Sequence, residues 1–106
     1  MNKLFIDTSD NKKLFIALDS KGIKDSVLLE SDKLVRSEKA LPVIEKLLKR
    51  NGVNVEDIGK IEVNEGPGSF TGIRVGISIA NALSFLLKIP VNDRKIGEFA
   101  KPVYNK

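Results

Sequence analysis

The sequence has 106 residues, a length that predicts one domain with a single, modest hydrophobic core. Cysteine and histidine are both absent, which excludes disulfide bonds, thiolate chemistry and imidazole catalysis or metal ligation. The net charge of +4 is carried by scattered lysines, a distribution that favours an ordinary solvated surface over a dedicated nucleic-acid-binding patch. We find no pattern of a signal peptide or a membrane span, and we therefore expect a soluble cytoplasmic protein.

The first third of the chain predicts three strands in quick succession. Residues 4–7 form a short apolar strand, and the polar residues 8–11 are typical of a turn, because such side chains bond their own backbone. Residues 12–19 and 23–30 predict two further strands, joined by a hairpin turn at residues 20–22. Strands with such short connections pair in an antiparallel manner, so we expect a meander.

The middle of the chain predicts a helix and a fourth strand. Apolar residues recur at helical spacing from residue 40 to residue 48, and the pattern ends at Asn51-Gly52, a common C-terminal signal of helices. Apolar and polar residues then alternate within residues 60–65, which indicates a strand that leaves the core.

A long apolar helix and a short fifth strand complete the predicted domain. Residues 73–87 are apolar over too long a stretch for a strand, and residues 90–91 begin a strand that soon meets the polar residues 92–95. The resulting order, β-β-β-α-β-α-β, is that of half an actin-like ATPase, the RNase H-like core, with a mixed five-stranded sheet. We assign residues 1–92 to this single subdomain and residues 93–106 to a polar C-terminal tail.

A glycine-rich turn, Glu-Gly-Pro-Gly-Ser-Phe-Thr-Gly-Ile-Arg at residues 65–74, joins the fourth strand to the long helix. Its glycines and proline predict a sharp turn with Ser69 or Thr71 as the helix N-cap. The backbone N–H groups of Gly66, Gly68, Ser69 and Thr71 can alternatively cradle a phosphate. The glycine spacing misses the dinucleotide-binding pattern by one residue, and the P-loop lysine is absent, so we favour a structural turn.

Three carboxylates are the candidates for a metal-dependent hydrolase. Asp7, Glu45 and Glu65 occupy positions where an RNase H-like fold places its acids, but two-metal hydrolysis requires further carboxylates that converge on the ions. Isolated acids at strand ends and on helices are usually solvated. We therefore predict no metal site and no catalytic residue.

The long helix carries more apolar surface than one sheet face can cover. Apolar side chains occupy more than half of its circumference, so either the first helix or a protein partner must cover a second side. Gly72, Gly76 and Ala80 lie on one face of this helix. Each glycine inside a helix costs about 1 kcal/mol relative to alanine, and close approach of a second helix would explain that cost. This small-residue stripe favours a partner.

Residues 65–76 resemble the GPGSFTGLRxG signature of the TsaB (YeaZ) family, the accessory protein of bacterial tRNA threonylcarbamoyladenosine synthesis. Further matches occur in the family's order: Ile-Asp-Thr-Ser at residues 6–9, the start of the first helix at 37–42, residues 55–58, and Lys-Ile-Pro-Val at 88–91. Members of the family usually carry a second, similar subdomain. The resemblance therefore covers only the first half of the family's length.

This resemblance implies a non-catalytic scaffold without a cofactor. In the family, catalysis belongs to the paralogous partner TsaD, which the scaffold binds and activates, and tRNA is reached only through the complex. The two helices form a helical-bundle interface that serves the partner and, in the isolated chain, a homodimer. Carried onto this sequence, the interface residues are Ala40, Val43, Leu47, Gly72, Arg74, Gly76 and Ala80. The alternatives are a stand-alone nucleotide-binding or metal-dependent RNase H-like hydrolase domain, and a purely structural homodimer.

Overall fold

The computed structural model describes residues 2–33 and 37–103 of the chain. Short 3-10 helices at Ser37–Lys39 and Val55–Asp57 precede the first helix and the fourth strand. The regular elements are β1 (Asn2–Asp7), β2 (Lys13–Ser20), β3 (Ile23–Glu30), α1 (Ala40–Arg50), β4 (Ile58–Val63) and α2 (Phe70–Leu87).

The strands of the described chain form one mixed sheet in the order β3-β2-β1-β4. β2 pairs antiparallel with both β1 and β3, as the predicted meander requires. β4 pairs in parallel with β1, with Val63 opposite Ile6. The crossover through α1 thus carries the chain from one edge of the sheet to the other.

The predicted fifth strand is short, as the polar residues 92–95 indicated. Val91 forms a single parallel bridge with Ile61, and the next residue, Asn92, turns the chain away with a left-handed φ of 53°. The sheet over residues 2–33 and 37–103 therefore has four strands and one bridge in place of a fifth strand.

Both helices pack on the same face of the sheet. α1 lies over β2 and β3, whereas α2 lies over β1 and β4. The side chains that point towards the helices alternate along each strand, as a half-buried sheet requires. The fully buried core residues of the strands and helices include Leu4, Ile6, Leu14, Ile16, Leu18, Leu47, Ile61 and Ile73.

The segment predicted to be a polar tail folds back onto the domain as far as Val103. Ala100 is buried, and its backbone exchanges two hydrogen bonds with the Asn81 side chain, at 2.8 and 3.1 Å. Glu65 accepts the Lys101 N–H at 2.9 Å and pairs with Arg94 at 2.7 Å. We call residues 93–103 the return segment. The last predicted tail residues, 104–106, lie outside the described residues.

Helix α2 has the length and the mean hydropathy of a membrane-spanning helix, a property that the sequence analysis did not anticipate. It contacts β1 and β4 and buries one side in the core through Ile73, Ile77 and Ala80. Only 33% of its residues are buried. The core thus accounts for one side of the helix and leaves the other side exposed.

Candidate functional site

The glycine-rich turn is fixed by the loop that follows β1. The backbone N–H of Ser69 donates to the Ser9 carbonyl at 2.8 Å, and a Cβ on Gly68 would lie 2.8 Å from the Ser9 Cβ. Ser69 is the N-cap of α2, because its hydroxyl accepts the Gly72 N–H at 3.2 Å. Of the two predicted caps, the structure therefore selects Ser69, and Thr71 lies in the first turn of the helix.

Gly66 occupies a position that excludes other residues. Its φ of 115° is unfavourable for any side chain, and a Cβ there would overlap the Val103 carbonyl oxygen. The backbone N–H of Val103 in turn donates to the Glu65 carbonyl at 2.7 Å. The return segment thus passes directly over the start of the turn.

The small-residue stripe of α2 faces the interior of this chain. A Cβ on Gly72 would overlap the Thr8 carbonyl oxygen, and a Cβ on Gly76 would overlap the Thr8 hydroxyl. Thr8 is buried and donates its hydroxyl to the Gly72 carbonyl. The prediction that this stripe admits a second helix is therefore wrong, because the loop after β1 already fills the space.

Two of the four candidate phosphate donors in the turn, the N–H groups of Gly66 and Ser69, bond within the chain. Gly66 donates to the Asn64 side chain at 2.9 Å, and Ser69 and Gly72 donate as described above. A phosphate cradle needs such donors to point at the ligand. These bonds favour the structural interpretation of the turn over phosphate binding at Gly66, Gly68, Ser69 and Thr71.

The three candidate carboxylates lie in three different environments. Asp7 accepts the Ser9 N–H at 2.8 Å, Glu65 is held by the return segment, and Glu45 is exposed on α1. Within residues 2–33 and 37–103, no group of three acidic side chains lies close enough together to hold a metal ion. This arrangement disfavours the two-metal hydrolase alternative.

The side of α2 that faces away from the sheet forms an apolar surface together with the start of α1. Phe85 and Leu86 are 69% and 72% exposed, and Leu41 of α1 is 54% exposed. The guanidinium of Arg74 stacks on the Phe70 ring at 5.2 Å. We define the helix face as Leu41, Phe70, Arg74, Ser78, Ala82, Phe85 and Leu86. A groove between the two helices runs along it, beside Ile44, Ile79 and Leu83.

The predicted interface residues divide into two groups. Arg74 is exposed and Val43 is half-buried, so both can reach a partner. The remaining five, Ala40, Leu47, Gly72, Gly76 and Ala80, are buried within the chain. The exposed residues Phe85 and Leu86 were not singled out, although the apolar run that ends the long helix contained them.

Comparison with known proteins places this fold and its turn in a family. A family model described as "TsaD: tRNA N6-adenosine threonylcarbamoyltransferase" matches residues 35–93, just over half of the chain. A protein of Bacillus subtilis (strain 168), "tRNA threonylcarbamoyladenosine biosynthesis protein TsaB", is 38% identical over 87% of this chain and 40% of its own length. A protein of the same name from Haemophilus influenzae is 34% identical over 83% of this chain and 36% of its own length.

A solved structure agrees with these relatives. "YeaZ from Pseudomonas aeruginosa" superposes with a TM-score of 0.79 and 30% sequence identity, over 89% of this chain and 43% of that protein. The actin-like, RNase H-like fold class is consistent with that structure, and the chain spans about two fifths of the length of these relatives. The chain therefore belongs to the family that the TsaD model describes, and within it corresponds to part of a TsaB (YeaZ) protein, as its sequence motifs predicted.

Proposed function

We propose that this chain is a non-catalytic accessory protein of tRNA threonylcarbamoyladenosine synthesis that binds and activates a TsaD-like partner. The names of its relatives support the pathway, and the match to the TsaD family model supports a partner of related fold. The observation that carries the proposal is the helix face, an apolar surface that the rest of the described chain does not cover.

The helix face has the composition of a protein interface. It includes exposed aromatic and leucine side chains, and its one charged residue, Arg74, is already stacked on Phe70. Aromatic residues and arginine are enriched in protein interfaces, whereas lysine and acidic residues are depleted there. The groove between α1 and α2 offers the concave part of the surface, into which a partner's helix can place its side chains.

The same face also serves self-association in our proposal. An apolar helix pair without its partner gains free energy by pairing with a second copy, so the isolated chain forms a homodimer that competes with the heteromeric complex. The chain meets tRNA only through the complex, because its own lysines are scattered rather than grouped. The cytoplasm, where tRNA is modified, is the proposed location.

The geometry of the candidate acids supports a non-catalytic role for this chain. Asp7 and Glu65 already accept hydrogen bonds from the neighbouring backbone, and Glu45 is solvent-exposed. In the proposed complex, the reaction itself is therefore carried by the partner. This chain contributes a rigid surface that positions the partner's helices.

Binding of a TsaD-like protein tests the proposal directly. We expect the two proteins to form a complex of defined mass in light scattering after size-exclusion chromatography. Leu86→Glu should weaken the complex by about tenfold or more, because it places a charge within the apolar contact. Since Leu86 is 72% exposed, this substitution should leave the fold of the free chain intact.

Leu28→Glu is the matched control. Leu28 is 49% exposed on β3, and its neighbours Val27 and Leu29 point to the helix-covered side, so Leu28 lies on the opposite side of the sheet. It should bind the partner like the wild type. The proposal fails if no complex forms, or if Leu28→Glu weakens it as much as Leu86→Glu does.

A further inference from the structure

The outer edge of β4 is closed in an unusual way. β4 pairs with β1 on one side only, and an edge strand normally presents unpaired N–H and C=O groups that can pair with another chain. Here the chain that follows α2 returns to this edge. Ile61 donates its N–H to the Pro90 carbonyl at 3.0 Å, and its carbonyl accepts the Asn92 N–H at 2.8 Å.

The side chain of Asn92 closes the next position along the edge. Its Oδ1 accepts the Val63 N–H at 2.8 Å, and its Nδ2 donates to the Val63 carbonyl at 3.2 Å. One side-chain amide thus makes the two bonds that a longer neighbouring strand would make. The left-handed backbone of Asn92 then directs the chain away from the sheet.

At the opposite edge of the sheet, side chains also bond backbone groups of the edge strand. Ser26 lies in the middle of β3, and its N–H donates to the Asp25 carboxylate at 2.9 Å, while its carbonyl accepts a hydrogen bond from Arg50 at 2.9 Å. Side chains therefore occupy backbone groups at both edges of the sheet. A strand from another molecule would have to displace them before it could pair along the full edge.

We propose that the Asn92 side chain protects the edge of β4 from strand pairing with a second copy of this chain. The two bonds to Val63 carry this proposal, and it does not depend on the proposed function. A second copy is the expected occupant of an opened edge, because it carries the same edge strand of the same length. The predicted product is an assembly through strands, distinct from one through the helix face.

Asn92→Gly is the most direct test. Glycine tolerates the φ of 53° at this position, so the substitution removes the amide without straining the backbone. The experiment uses the full chain with Leu86→Glu in every sample, so that association through the helix face is suppressed. In hydrogen-exchange NMR on dilute protein, the Val63 amide should exchange at least about tenfold faster, because its only described acceptor is lost. At high concentration, the variant should form oligomers that bind thioflavin T.

Two further variants distinguish loss of the Asn92 side-chain amide from the effect of a glycine at a left-handed position. Lys88→Gly is the matched control, since Lys88 also has a left-handed φ, of 56°, but ends α2, and no described hydrogen bond joins its side chain to β4. The exchange rate of its Val63 amide and its mass in solution should equal those of the parent chain with Leu86→Glu alone. The serine side chain of Asn92→Ser is too short to bond both the N–H and the carbonyl of Val63, so this variant should behave as Asn92→Gly does. It takes the place of Asn92→Gly if that variant does not fold. Unchanged Val63 exchange, or a chain that stays monomeric after the amide is removed, would overturn the proposal.

Discussion

Thr8 and the two glycines that face it determine how closely α2 approaches the sheet. Thr8 is 2% exposed, and its hydroxyl donates to the Gly72 carbonyl. The helix crosses directly above the loop that follows β1, because neither Gly72 nor Gly76 carries a Cβ. The helix-propensity cost of these glycines is thus offset by burial of the loop beneath the helix.

Alanine at either glycine should destabilise the protein, for two separable reasons. Gly72→Ala would push a Cβ into the Thr8 backbone carbonyl, whereas Gly76→Ala would push it into the Thr8 hydroxyl. We expect each to lower the free energy of unfolding by about 1–3 kcal/mol in urea titrations, a cost typical of overpacking.

A double-mutant cycle with Thr8→Ala distinguishes the two contacts. Removal of the hydroxyl should relieve the strain of Gly76→Ala, with a coupling energy of about 1 kcal/mol, but should not rescue Gly72→Ala. Equal coupling at both glycines would show that the described contacts do not set the cost.

The sequence identified the glycine stripe but not the group that fills it. The spacing of Gly72, Gly76 and Ala80 signals close approach of another backbone. The structure shows the Thr8 backbone at Gly72, but the Thr8 side chain at Gly76. Helical periodicity is a local property, however, and Thr8 lies 64 residues from Gly72 along the chain. No pattern within the helix could distinguish a partner's helix from this chain's own loop.

At the scale of elements, α1 is joined to the edge strand β3 by an ion pair. Arg50 binds the Asp25 carboxylate through two nitrogens, at 2.6 and 2.7 Å, and Asn51 donates to the same carboxylate at 2.8 Å. The hydrogen bond from Arg50 is the largest cause that lowers the pKa of Asp25, and the hydrogen bond from Asn51 lowers it further. Together they hold this pKa well below its usual range. The pair is partly exposed, so solvent screening keeps its contribution to stability modest.

This lowered pKa makes part of the stability dependent on pH. Because the pKa of Asp25 is lower in the folded than in the unfolded chain, its contribution is fully present above the ordinary value of 3.8 and is lost as the pH falls below it. The difference in unfolding free energy between wild type and Asp25→Asn should therefore be larger at pH 7 than at pH 2. Urea titrations at both pH values measure it, with Glu45→Gln on α1 as the control. A difference that is constant or grows in acid would contradict the assignment.

The order of the elements followed from the hydrophobic periodicity, and the polar residues 92–95 predicted that the fifth strand would be short. The meander, both helices and β4 lie close to their predicted bounds, because apolar spacing and turn residues determine them locally. The fifth strand stops at Val91 because the Asn92 side chain takes the hydrogen bonds that a longer strand would make with Val63. The sequence predicted only a polar tail here, because the contacts of the return segment with Glu65 and Asn81 join residues distant in sequence.

At the scale of the whole molecule, α2 separates the core from the helix face. Its buried side, with Ile73, Ile77 and Ala80, completes the core, and its outer side leaves Phe85 and Leu86 in solvent. The sequence predicted that this helix needs a second cover, and the structure shows that α1 reaches only one flank of it. The proposed partner would bury the remainder.

Reconstituted transfer of the threonylcarbamoyl group to tRNA tests the central claim most directly. With magnesium or manganese, the pure chain should show neither nuclease nor ATPase activity. Added to a TsaD-like protein with its threonylcarbamoyl donor, it should stimulate transfer, and Leu86→Glu should abolish that stimulation. Asp7→Ala should retain it, because the partners described for Asp7, the Ser9 N–H and the Asn64 side chain, lie away from the helix face. The contrary result is metal-dependent activity of the chain alone that Asp7→Ala removes, which would make the protein an enzyme.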